Sequence, residues 1–392
     1  MSIRAVFRTI AVLSCLALGL VAVPAAWSGA AESGVRWSDV GTRHWAREAI
    51  DFVGAQHDWM RDFRQVEDGV YPFEPDAPES RKLFARALYR TFGAGLESDP
   101  SIAFDDLPEN DRFYRFANLA VAQGWMATDG SRFEPHRAVT TREVHRALVL
   151  AIGLGDAAAG ADALHMRDGT PIQTPPGFGT LLIGVRLGLR YNHADDLLDV
   201  GPDSPLSRAE VAWSLHRAAT ASSWLVDSMD AYTTLELPNL SRPMQRVVAW
   251  GAKYVAYPYV WGGEWGDPTA DGYCCGAQRV GGFDCSGLVW WLMKKASGGW
   301  DNSPPREYPG WSLPERSSAD MASVGRVRWR GIQPGDLLFY DGSGDGTVDH
   351  VNVAIGNGWA IDASSGSGGV SFTRIRDNWY EQSFVHGRRI LS

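Results

Sequence analysis

The chain has 392 residues, 45% of them hydrophobic, with 43 glycines, which suits two or three loop-rich globular domains with ample apolar residues for a core. The formal net charge is −9, carried by the part before Pro238, since acidic and basic residues balance from there onward. No basic stripe exists, which argues against a nucleic-acid partner, and the 4 cysteines are too few and too clustered for a disulfide-stapled secreted domain.

Residues 1–30 are expected to be a signal peptide. Arg4 and Arg8 precede an apolar run from Ile10 to Val23, and Ser28-Gly29-Ala30 reads as a cleavage site. An uncleaved anchor, or a lipoprotein through Cys15, are the alternatives. Export leaves Cys274, Cys275 and Cys285. An odd cysteine in an oxidising compartment points to a reactive thiol, against an unpaired buried cysteine.

Residues 31–222 carry an internal repeat. SRKLFARALYRTFG from Ser80, TTREVHRALVLAIG from Thr140 and SRAEVAWSLHRAA from Ser207 align, each opening with a residue suited to cap an amphipathic helix. FEPDAPE, FEPHRAV and VGPDSPL precede them, and WSDVGTRHWAREAI and FDDLPENDRFYRFANLAVAQGW add acidic turns followed by helical patterns. The expected fold here is a mainly α-helical repeat domain. These units resemble S-layer homology domains, which implies docking on a cell-wall polymer; the plainer reading is a helical spacer. Arg81 and Arg208 occupy that family's arginine slot, Thr141 replaces it in the middle copy, and Leu83 replaces the family glutamate in the first.

Residues 223–243, with TTLELPNLSRP, read as a linker, and a helix is expected from Met244. Residues 244–392 then change texture. DLLFY (336–340), HVNVAIGNG (350–358) and WAIDAS (359–364) are strand-like, so a helix followed by strands predicts an α+β domain.

In FDCSGLVWWLMKKA, Asp284 is placed to cap a helix with Cys285 in its first turn, where amide donors and the helix dipole favour a thiolate. His350 opens one strand and Asp362 lies on the next. A hairpin about Gly356–Gly358 makes them neighbours, which supplies nucleophile, base and orienting carboxylate. No histidine pair stands at metal-ligand spacing, and no cofactor is called for.

PYVWGG (258–263), FDCSGLV (283–289), QPGDLLFY (333–340), DHVNVAIGNG (349–358) and IDAS (361–364) together resemble the NlpC family of cell-wall cysteine peptidases. The resemblance covers about residues 240–392 and implies a permuted papain-like fold of helix plus antiparallel sheet. It implies Cys285 as nucleophile, His350 as general base and Asp362 at a third position that is often histidine. It also implies Tyr259 as an oxyanion donor, with Asp284 and Ser286 lining the peptide groove; for Asp284, binding a substrate amine competes with capping the helix. The implied activity is hydrolysis of an amide in peptidoglycan stem peptides, between D-γ-glutamate and a diamino acid, by a secreted, wall-associated enzyme. A wall-binding scaffold with an inactive hydrolase fold, an acyltransferase on the same frame, and a zymogen covered by its repeats are the alternatives.

Residues 264–283 depart from the family as an insertion beside the expected site. Cys274 and Cys275 in it have three outcomes: a vicinal disulfide, free thiols, or exchange with Cys285. Trp261 and Trp265 are candidates for sugar stacking against a core or groove role, and Arg328 and Arg330 for meeting a substrate carboxylate against a plain loop.

Overall fold

The computed structural model describes residues 34–272, 274–296 and 313–391, so the expected leader over residues 1–30 lies outside them. The repeat helices are α1 (Arg81–Phe92), α2 (Thr141–Ala151) and, beyond an unpredicted helix α3 (Phe178–Arg186), α4 (Arg208–Ala219). Thr140 and Ser207 each close a reciprocal cap with the glutamate at the third helical position, Glu143 and Glu210. The first copy has Leu83 at that position, and the Ser80 hydroxyl caps nothing.

The copies interlock through their loops. Arg81 Nε donates to the Phe133 carbonyl and Arg208 Nε to the Phe73 carbonyl, each at 2.7 Å. Asp39 and Asp106 accept from the backbone of Phe73-Glu74 and Phe133-Glu134, holding these equivalent turns. Bridges Pro78 to Ser207, Ser80 to Ala138 and Thr140 to Pro205 join the copies to one another. Arg81 and Arg208 are therefore buried structural pins.

The segment 223–243 is not a free linker. It folds as a short helix, Ser223–Asp227, a 3-10 turn, Ser228–Tyr232, and a strand, Glu236–Leu237, that pairs with His165–Met166. Met229, Tyr232, Leu235, Leu237 and Leu240 are buried, and withdrawing that apolar set from water is what ties the segment down.

Helix α5 (Arg242–Lys253) starts with proline in its first turn, two residues before the expected Met244. Helix α6 (Cys285–Ala296) follows the insertion. The sheet holds β1 (Asp336–Tyr340), β2 (His350–Gly356), β3 (Trp359–Ser364), β4 (Gly369–Arg374) and β5 (Phe384–Arg389), in the order β4-β3-β2-β1-β5, all antiparallel. The fold of this part is thus mixed helix and antiparallel sheet. The β2–β3 turn falls at the expected Gly356–Gly358 and places Gly356, Asn357 and Gly358 at positive φ. Strands β4 and β5 were not anticipated.

One sheet face, with Phe339, Val351, Val353, Ile361 and Phe372, joins the main core with α5 and α6. The other packs Leu338, Tyr340, Ala354 and Ala360 under Tyr380 and Phe384. Helix α3 is apolar around almost its whole circumference because it is covered on both sides, by α2 and the helix Gly155–Asp162, and by β4. Phe178 of α3 meets Phe372 of β4 edge-on, with ring centroids 5.4 Å apart. Residues 35–392 accordingly form one unit with a continuous core. Among the described residues no helix is long and apolar enough to cross a membrane.

Candidate active site

Cys285 is the first residue of α6, and Asp284 precedes it as the cap, accepting from the Gly287 N–H and the Ser286 hydroxyl. A side chain at Gly287 would collide with the Gly263 carbonyl, so α6 can start against that loop only with glycine there. Cys285 is 7% exposed. Cys274 and Cys275 are bonded to each other, which leaves Cys285 as the free thiol among the described residues.

His350 opens β2, and β2 pairs with β3 through Val353 opposite Ile361. That register sets His350 and Asp362 diagonally on one sheet face, and His350 Nε2 lies 2.7 Å from Asp362 Oδ1. A carboxylate only accepts, so Nε2 carries the proton and Nδ1 is the ring nitrogen left to serve the Cys285 thiol, whose electrostatic influence reaches the ring. Asp362 Oδ2 accepts from the Tyr380 hydroxyl at 2.6 Å. Tyr380 stands on α7 (Trp379–Ser383), whose start is capped by Asn378.

Burial alone would lower the His350 pKa; the charge and hydrogen bond of Asp362, reinforced by Cys285, raise it well above the ordinary imidazole range. Burial would raise Asp362, but His350, the Tyr380 hydroxyl and the Arg186 charge hold it below the usual carboxylate range. The pair is therefore built to hold an imidazolium. Burial, then the negative charges of Cys285, Asp284 and Asp362, push the Tyr259 phenol up, so it stays a protonated donor beside the thiol. Asp362→Asn removes the charge that raises His350, so the imidazolium is lost at a lower pH. Activity on the alkaline side is expected to fall away at lower pH, with kcat reduced on the order of 10- to 100-fold, as a pH–rate profile checks.

Arg316 was not singled out from the sequence. Its guanidinium donates to Glu264 Oε2 at 2.7 Å, Asp284 Oδ1 at 3.1 Å, the Ser286 hydroxyl at 2.7 Å and the Gly263 carbonyl at 3.0 Å. Asp284 takes the helix-cap role, one of the two the sequence offered for it, and with the Ser286 hydroxyl it also bonds Arg316. Glu264 is 1% exposed, so Arg316→Ala strands a buried carboxylate; a loss of about 3–5 kcal/mol in urea unfolding is expected, partly restored by adding Glu264→Gln.

The insertion is ordered by Gln278. Its Oε1 accepts from the backbone of Glu264 and Trp265, and its Nε2 donates to the carbonyls of Trp265, Val280 and Gly282. Trp265 is buried edge-on against Trp291, which removes it from any sugar-binding role. Trp261 is 84% exposed at the rim of the site. The Asp196 carboxylate acts electrostatically on Tyr259, so a loop of the N-terminal region comes near the site. Arg328 and Arg330 flank an exposed 3-10 turn, Trp329–Gly331, that leads toward β1.

Residues 256–389 match the NlpC/P60 family. The chain is similar to the probable endopeptidase p60 of Listeria monocytogenes, with 31% identity over 145 residues, covering 37% of this chain and 23% of that protein. It is similar to the peptidoglycan endopeptidase RipB of Mycobacterium tuberculosis, with 32% identity over 139 residues, covering 35% of this chain and 50% of that one. Among solved structures it is similar to RipD of Mycobacterium tuberculosis, described as a non-catalytic NlpC/p60 domain protein adapted to peptidoglycan binding. There the identity is 25% and the TM-score 0.28, covering 39% of this chain and 100% of that chain. The chain thus spans half or less of the length of these curated relatives.

Proposed function

We propose, on the premise that residues 256–389 are an NlpC/P60 family domain, that the protein is an exported cell-wall hydrolase. It cleaves an amide in peptidoglycan stem peptides, between D-γ-glutamate and a diamino acid, by a Cys285-His350-Asp362 thiolate mechanism. The observation that carries this reading is the 2.7 Å bond from His350 to Asp362, with the free Cys285 at a helix start acting on the same ring.

In this reading Nδ1 of His350 takes the thiol proton, and the Cys285 thiolate attacks the scissile carbonyl. The Cys285 N–H and the Tyr259 hydroxyl receive the developing oxyanion. The imidazolium then protonates the leaving amine, and a water deprotonated by His350 resolves the thioester. Asp362 stabilises the cation at each stage without itself being protonated. Association of the N-terminal copies with a wall polymer belongs to the same proposal, although their arginine-slot side chains are spent on internal bonds.

Mass spectrometry of muropeptides after digestion of purified wall tests the reading. Fragments ending in free D-γ-glutamate, with a matching free amine, are expected. Intact muropeptides that co-sediment with the protein would replace it with a binding scaffold. Products joined to an added amine acceptor would replace it with acyl transfer.

A further inference from the structure

Aromatic rings border the base. Tyr340 stands directly opposite His350 in the β1–β2 ladder, with ring centroids 5.8 Å apart, and Trp379 and Tyr380 meet the imidazole at 6.1 Å and 6.3 Å. Tyr340 is buried, and the Tyr380 hydroxyl is spent on Asp362. Trp379 has no part in the mechanism above, yet it is 44% exposed. One face of its indole stacks on Tyr340, with centroids 5.9 Å apart and 28° between the planes, which leaves the other face for solvent. The ring is held from several sides. Asn378 Nδ2 donates to the Arg374 carbonyl at 2.8 Å, and Asn378 Oδ1 accepts from the Tyr380 N–H at 3.0 Å. Tyr380 packs edge-on against the indole at 5.0 Å. The indole also lies on the turn at Gly342, where a Cβ would stand 2.8 Å from the ring and 3.2 Å from Asp349 Oδ1. An aromatic face fixed in this way beside a general base, and open to water, is preorganised to receive substrate.

We propose that Trp379 is a specificity-determining residue of the leaving-group side, where its open indole face takes an aliphatic side chain that ends in an ammonium. The inference rests on the hydrolase reading above and names the group that selects the leaving residue. His350 Nε2 is committed to Asp362, so the leaving nitrogen has to come to Nδ1 of the same ring to receive its proton. The residue that bears this nitrogen is thereby set against the groups that border the imidazole, and among the rings there Trp379 is the exposed one. The methylenes of a long side chain lose water against the indole face, and a terminal ammonium is attracted by its electrons. The surrounding charge has the matching sign. The β1–β2 loop, residues 341–349, carries Asp341, Asp345 and Asp349 and no basic residue. Asp349 accepts from the Gly342 and Ser343 N–H groups and so flanks the same turn as the indole. A short uncharged side chain such as that of alanine offers the ring neither methylenes nor charge.

The test uses the full chain, with Trp379→Ala and Trp379→Phe, and two synthetic tripeptides, L-Ala-D-γ-Glu-L-Lys and L-Ala-D-γ-Glu-L-Ala. The wild type is expected to favour the lysine peptide about tenfold through KM. Trp379→Ala is expected to raise KM for the lysine peptide about tenfold without a matching fall in kcat, so that the preference disappears, and Trp379→Phe to keep part of it. A preference absent from the wild type, or surviving in Trp379→Ala, overturns the proposal. So does a fall in kcat shared by both peptides, because the indole would then act on the base through Tyr340 and Tyr380 and not on the substrate. A second arm needs no turnover. Saturation-transfer NMR measures binding of the leaving fragments L-lysyl-D-alanine and L-alanyl-D-alanine to the wild type and to Trp379→Ala. A wild type that cleaves neither tripeptide ends the hydrolase reading. Tighter binding of the lysyl dipeptide, lost in Trp379→Ala, still supports the subsite in that case, and equal binding of the two dipeptides overturns it.

Discussion

The Cys285→Ala chain will release no muropeptide fragments from purified wall, a loss on the order of 10⁴-fold or more, and will keep its fold. The size of the loss follows from the chemistry. His350 and Tyr259 remain in place, but neither forms the thioester that divides amide hydrolysis into two accessible steps. The fold survives because a small side chain replaces a small one at a position already in helical conformation, and the Asp284 cap bonds to Gly287, not to residue 285. A second reading comes from the base. Cys285 is one of the groups that raise His350, so the imidazole of Cys285→Ala should titrate lower than in the wild type, as NMR would follow. Residual wall cleavage near the wild-type rate would remove Cys285 from the mechanism. Loss of cleavage together with loss of far-UV circular dichroism would make the variant uninformative about chemistry, and Cys285→Ser is the companion that separates the two.

Residues 244–392 expressed without the N-terminal region are expected to be strongly destabilised and to aggregate. Cutting there uncovers Phe372, packed under Phe178, and Trp359, packed under Tyr232. Two such aromatic faces left in water cost roughly 3–6 kcal/mol, a large share of the roughly 5–15 kcal/mol that holds a typical domain together. Bonds across the cut go too: Tyr232 to the Phe372 carbonyl, and Asn357 Nδ2 to the Glu236 carbonyl. Gel filtration, dye binding and thermal melting of this fragment beside residues 35–392 would measure the difference. A monomeric fragment with an unchanged melting temperature would show that the joint surface contributes little. The same comparison bears on the N-terminal copies, since deleting a region that completes the core cannot report on wall docking alone.

Much of this organisation is written locally in the chain. Ser80, Thr140 and Ser207 mark the starts of α1, α2 and α4, and only the copy with Leu83 lacks the reciprocal cap. Asp284 before an apolar helical run places Cys285 in a first turn, and two strand patterns around a glycine turn bring His350 to Asp362. These features depend on spacings of a few residues, where backbone geometry alone sets which side chains meet. Helix α3 was not read from the sequence, because an apolar helix covered on two sides shows no polar face to mark its period.

The partners that complete the site are far apart in the chain. Arg316 stands 32 residues from Asp284 and 52 from Glu264, and Tyr380 stands 18 from Asp362. No motif announces them, because an arginine in a loop or a tyrosine on a short helix is unremarkable until packing removes its alternatives. From its residues alone the chain determined where a thiol, an imidazole and a carboxylate are presented. Which groups stand behind them, and that the repeats and the C-terminal part share one core, only the tertiary structure decided, because burial in a low dielectric selects partners by proximity in space and not by order along the chain.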